Sequence, residues 1–182
     1  MLGFQPPALL PLAVTALFIG LCMASDLRTR RIPNVLTLPV IALGLALGTF
    51  MHGLAGFGAS LGGAALATAL LLGPFALGGV GGGDVKMMAG VGSLVGPQAL
   101  LASLMAGILL GGLFGVWALW RRGRLAERLL AIVTMCHSAA LTRSMDPLRA
   151  PAADANAVTL PYSVPLGLGT ALALWLRGGV GA

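Results

Sequence analysis

Most of this chain carries no charge, and that property limits what it can fold into more than any other. No acidic or basic side chain occurs between Met1 and Ser25, and His52 is the only one between Ile32 and Gly83. Apolar runs of this length cross a hydrocarbon core about 30 Å thick as helices. Only 9% of the residues are charged and 58% are hydrophobic, against about a quarter charged in a soluble domain. Such a chain lacks the polar surface to cover a water-soluble core. It reads as an all-α, polytopic integral membrane protein, a single domain over residues 1–182. Any chemistry must then use residues of the membrane domain itself.

The net charge of +6 does not point to nucleic acid, because no basic face interleaved with aromatic residues is present. The basic residues form short clusters between apolar runs, where they orient helices and meet anionic lipid. Cys22 and Cys136 stand alone without a CxxC pair, which excludes a zinc ribbon or thioredoxin-like site and leaves lone buried thiols, with a disulfide between them as the alternative. The first segment lacks a basic n-region, and Leu21 before Cys22 spoils a lipoprotein cleavage site. It is therefore expected to stay as a first helix.

The pattern predicts about six membrane helices. Residues 8–25 form the first, closed by Asp26-Leu27-Arg28-Thr29-Arg30-Arg31, whose arginines mark the cytoplasmic side. Ile32-Pro33-Asn34 restarts the chain into a second helix over 35–51, and His52-Gly53 makes an outer turn. A third helix covers 59–77. The stretch 85–96 is too short to span, which suggests that Asp84 is embedded, unless one irregular element runs from Asp84 to Trp120 with a kink at Pro97. A fifth helix covers 98–120 and a last span 160–176. Residues 121–158 read as a cytoplasmic amphipathic surface helix, near 125–141, and a loop. Ten of the eleven basic residues then fall on one side. Gly107, Gly111 and Gly115, with the pairs Gly44/Gly48 and Gly58/Gly62, are read as flat faces for close helix packing.

Only five carboxylates exist. Glu127, Asp146 and Asp154 fall where solvated charge is ordinary, whereas Asp26 and Asp84 lie at membrane-helix ends facing the same side. Singly, Asp26 could end its helix and pair with Arg30, and Asp84 could cap a helix start. Together they offer a dyad. Two carboxylates a few ångströms apart cannot both ionise easily, so the pair can hold a water, take its proton and polarise a peptide carbonyl. Such a pair titrates as a unit. The glycines of Gly78–Gly83 would let an extended substrate backbone come close. Other schemes lack their parts. His52 and His137 sit on opposite sides, no nucleophile elbow or HExxH occurs, and Met87 after Lys86 breaks the phosphate-loop pattern.

At these residues the chain resembles the type IV prepilin peptidases. Asp26-Leu27-Arg28-Thr29-Arg30-Arg31-Ile32-Pro33-Asn34 is similar to their first aspartate motif. Gly81-Gly82-Gly83-Asp84, followed by Val85-Lys86, is similar to their GxGD motif, and Pro161-Tyr162 extends the likeness. The resemblance implies an intramembrane aspartyl endopeptidase that removes the basic leader of type IV prepilins or pseudopilins. By carry-over Asp26 and Asp84 are catalytic, and Gly81, Gly83, Lys86, Arg28, Pro33 and Asn34 are motif positions. It also implies the bacterial inner membrane, with the site facing the cytoplasm, a prepilin and the lipid bilayer as partners, and neither cofactor nor metal. Longer members carry paired CxxC motifs after the first helix and N-methylate the product. This chain lacks that loop and is similar to the short forms of tight-adherence (Flp) pilus systems, so methylation is not expected. The competing readings are a small proton-coupled transporter, which would want acids at mid-membrane and facing repeats, and a non-catalytic secretion-apparatus subunit.

Overall fold

The computed structural model describes residues 9–121, 123, 130–131, 133–134, 137 and 162–179. Most of the sequence-predicted surface helix and loop, with Glu127, Asp146, Asp154 and Cys136, lies outside the described residues, as does Pro161. The described elements are helices: α1 (Leu9–Thr29), α2 (Asn34–Ala76), α3 (Gly82–Arg121) and α4 (Ser163–Gly179). By length and apolar composition α1, α2 and α3 can each cross a membrane.

The 43 residues of α2 would reach about 65 Å if straight, at about 1.5 Å per residue and roughly twice the apolar thickness of a bilayer. The helix does not stay straight. Gly53 leaves helical geometry at φ 61°, ψ −144°, a left-handed conformation that suits a residue without a Cβ. The two arms then fold together. Ser60 Oγ donates to the carbonyl of Gly44 at 3.1 Å across 16 positions, and a Cβ on Gly56 would overlap the Gly48 carbonyl. The turn predicted at His52-Gly53 is therefore present, but helix resumes directly after Gly53 rather than at residue 59. α3 is broken likewise at Gly96 (φ 76°, ψ 174°). The irregular element held open in the sequence is what forms, with the break on the glycine before Pro97 and not on the proline.

The core surrounds the first part of α3. Met87, Met88 and Val91 are fully buried, as are Leu100 beyond the break, Cys22 of α1 and Ala67 of α2, and Phe18 of α1 and Leu166 of α4 are buried beside them. The opposite surface is as apolar as the inside, with Phe50, Leu54 and Val35 more than four-fifths exposed. A water-soluble monomer rarely shows such a surface. In lipid, helices gain little from burying apolar area and associate by close packing. The contacts reflect this. A Cβ on Gly63 would overlap the Gly92 carbonyl, Gly90 receives the Phe18 ring, and Gly169 lies against the Gly107 backbone.

The predicted glycine faces are confirmed only in part. Gly44 packs on Ser93, Gly48 on Gly56 and Ser60, Gly107 on Leu166, and Gly111 on Pro165 and Tyr162. Gly58, Gly62 and Gly115 meet nothing within 4 Å and are not packing faces among the described residues. The Gly63–Gly92 approach replaces Gly58/Gly62. Within the last span expected over 160–176, the described helix begins at Ser163.

Candidate active site

Four helix ends meet at one end of the bundle: the last turn of α1 and the first turns of α2, α3 and α4. Asp26 belongs to the first and Asp84 to the third. The four-residue connection between α1 and α2 brings their motifs together. α1 ends on Arg30, a non-glycine residue at φ 52°, whose N–H donates to the Asp26 carbonyl at 2.8 Å. A left-handed conformation costs an L-residue about 1–2 kcal/mol. Here two hydroxyls hold the turn, as Ser25 Oγ and Thr29 Oγ1 both donate to the carbonyl of Arg31, at 2.9 and 3.1 Å. Ile32 then turns inward and is buried. It lies so close to the glycine stretch that a Cβ on Gly83 would sit 3.2 Å from its side chain. A side chain at position 83 would therefore be tight against the first motif.

Asp84 is 7% exposed. Gly81 occupies the position just before α3, and its N–H donates to Asp84 Oδ2 at 3.3 Å. This is the reach of a third-position acid back to a helix start, so Asp84 does close its own first turn. A capping acid needs no burial, however, and this one is covered by other helices. Asp26 is half-buried, and its Oδ2 accepts a hydrogen bond from Ser163 Oγ at 2.5 Å, from the first residue of α4. The charge of Asp26 reaches Asp84. Both act on the thiol of Cys22, fully buried one turn before Asp26. The two acids therefore share one neighbourhood.

The remaining motif positions divide. Lys86 Nζ donates to Asn34 Oδ1 at 2.8 Å across 52 positions, tying the first turn of α3 to that of α2 on the exposed rim. Pro33 precedes α2 in an extended conformation, φ −72° and ψ 147°, as expected for its fixed φ. Gly81 supplies the N–H to Asp84. Arg28 is exposed and has no polar partner among the described residues. Ser163 was not foreseen. It follows the matched Pro161-Tyr162 directly, and that adjacency was the available signal. No group of three or more His, Cys, Asp or Glu side chains suited to a metal converges among the described residues.

Beside the site, α1 and α4 enclose an apolar groove of about 680 Å³, with Met23 and Gly167 nearest the acids and Leu12 and Trp175 farther along.

Over 51 residues the chain is 45% identical to the prepilin leader peptidase/N-methyltransferase of Bacillus subtilis (strain 168). The alignment covers 28% of this chain and 20% of that relative, so the likeness extends over about a fifth of the relative's length. No solved structure matches the chain. The sequence profile of the type IV leader peptidase family matches residues 13–116, more than half of the chain, with both aspartate motifs inside the matched region. This chain belongs to the type IV leader peptidase family.

Proposed function

We propose that the chain is an aspartyl endopeptidase of the membrane, which cleaves the basic leader of a type IV prepilin or pseudopilin with Asp26 and Asp84. The observation that carries the reading is the convergence of two motifs from separate helices. Ile32 packs on Gly83 and Asn34 binds Lys86, which leaves Asp84 within the field of Asp26. One carboxylate takes a proton from a water held between them, and the resulting hydroxide attacks the scissile carbonyl carbon. The other carboxyl, protonated, polarises the carbonyl oxygen, and the tetrahedral intermediate collapses as a proton reaches the leaving amine. The pair shares its protons, so neither acid has a fixed role.

In this reading α2 crosses the membrane twice, α3 crosses it twice about its break, and α1 and α4 complete six crossings of one domain spanning residues 1–182. The exposed Arg28, Arg31 and Lys86 around the site support a site that faces the cytoplasm, by the positive-inside rule. A basic leader would lie on that side, with the apolar segment after it in the bilayer. Residues 121–158 would form the cytoplasmic surface helix and loop. The short connection between α1 and α2 suits the Flp-type branch, and methylation is not part of the reading.

The test uses purified chain in phosphatidylethanolamine/phosphatidylglycerol vesicles with an Flp-type prepilin. Leader removal is expected, with Asp26→Asn and Asp84→Asn each inactive but normally inserted. Normal cleavage by either variant would sink the dyad.

A further inference from the structure

We infer that Ser163 is a positioning residue of the site, and that α4 serves to present its hydroxyl to Asp26. The inference rests on the peptidase reading above and deepens it, because nothing in the two aspartate motifs includes α4.

Asp26 stands in an awkward place for a working carboxylate. It lies in the last turns of α1, where the carbonyl end of the helix disfavours negative charge. It is only half-buried, so packing alone does not hold its side chain. Asp84 differs on each count. It lies in the first turn of α3, where the dipole favours an acid, it is buried, and a neighbouring N–H holds it. Asp26 needs its support from another helix, and α4 supplies it. Ser163 is the first residue of α4 and is fully buried. Its Oγ lies 2.5 Å from Asp26 Oδ2, across 137 positions of chain. The contact brings both a proton donor and the positive end of a helix to the acid.

The behaviour of the other hydroxyls shows that this is not ordinary packing. A serine or threonine on an apolar helix usually returns its proton to a carbonyl one turn back. Among the described residues the other buried hydroxyls, Thr15, Thr37, Ser60, Ser93, Ser103 and Thr170, all donate to backbone carbonyls. Ser163 alone among them donates to a carboxylate. Its helix is held in register to do so, since Gly167, one turn on, receives Met23 and Ile19 of α1, and Leu166 packs on Gly107 of α3. Ser163 thus fixes one oxygen of Asp26 and with it the direction in which the carboxyl faces Asp84.

The test compares Ser163→Ala and Ser163→Thr with the wild type in the same vesicles, using a synthetic prepilin peptide. Misdirection of a catalytic group costs up to about a hundredfold in rate. Ser163→Ala should therefore lower kcat by about tenfold to a hundredfold while KM stays within about twofold. Ser163→Thr, which keeps the hydroxyl, should recover most of the loss. An Ala variant with unchanged kcat, a loss confined to KM, or a Thr variant no better than Ala would each overturn the inference. The contact is also measurable without turnover. Ser163→Ala should lower the thermal unfolding midpoint of the wild type but not of an Asp26→Ala background, and equal drops in both would refute it. Failure of the peptidase reading looks different: the wild type, or Asp26→Asn at the normal rate, would give the wrong answer before Ser163 is touched.

Discussion

The two acids stand on halves of the molecule built in opposite ways. Asp84 opens a run of α3 in which Asp84 and every residue from Met87 to Ser93 are buried. That run is clamped to α2 through glycine contacts too close for any side chain, at Gly63–Gly92 and Gly44–Ser93. Asp26 ends α1, which faces α4 across an open apolar groove. The first half is rigid because backbone lies on backbone. In the second, α4 rests on the α3 backbone at Gly169–Gly107, but α1 is held to α4 by single side chains: Ser163 on Asp26, and Met23 and Ile19 on Gly167. Asp84 is thus held within its own helix, and Asp26 by a neighbouring one.

The comparison predicts equal catalytic dependence on unequal supports. Asp26→Asn and Asp84→Asn should each lower leader cleavage by about a thousandfold or more, within the range of general acid–base removal compounded over two roles. Rates on prepilin in vesicles measure this. If one variant kept a tenth of the activity, the halves would differ in chemistry as well as in build.

Stability should show the asymmetry that chemistry hides. Gly63→Ala places a methyl on the Gly92 carbonyl, where neither backbone can yield, and should cost about 1–3 kcal/mol or more. Gly62→Ala, one position earlier with nothing within 4 Å, should stay within about 0.5 kcal/mol. Reversible unfolding in mixed micelles distinguishes the two. Equal losses would mean that the α2–α3 seam is not the rigid half.

The rim contact between Asn34 and Lys86 links α2 to α3 and should matter less. Both residues are exposed, so solvent competes for the bond. Asn34→Ala and Lys86→Met should each lower kcat/KM about twofold to fivefold, and the double variant should be no worse than either. Additive losses would show that the two residues act separately, for instance each on substrate.

Much of this site was legible in the sequence, for a physical reason. A charge among apolar residues is costly, so Asp26 and Asp84 stood out, and glycines beside one of them announced a close approach. The partners of those residues were less legible. Ser163 is one hydroxyl among many on apolar helices, and its acceptor lies 137 positions away. The glycine seam was misplaced for a related reason. Spacing of four picks out Gly58 and Gly62, but which face of a helix is buried depends on the neighbour it meets, and α3 meets the face of Gly63. Likewise Pro97 drew the expected kink, although the residue able to take a positive φ was Gly96.

The smallest effect expected is a gain. Gly20 lies on the groove side of α1, and a Cβ there meets nothing within 4 Å. Glycine in a helix interior costs roughly 0.5–1 kcal/mol relative to alanine, through the freedom that it loses on folding. Gly20→Ala should therefore raise stability by up to about that amount, measured by the same unfolding assay. At the α2–α3 seam the same exchange at Gly63 is destabilising, so the sign of one chemical change reports whether a glycine faces open space or a packed neighbour. A loss at Gly20 would mean that something already fills the groove in the bilayer. Cleavage would then be expected to slow in the same variant if that occupant is the apolar segment of the substrate, and to stay unchanged if it is lipid.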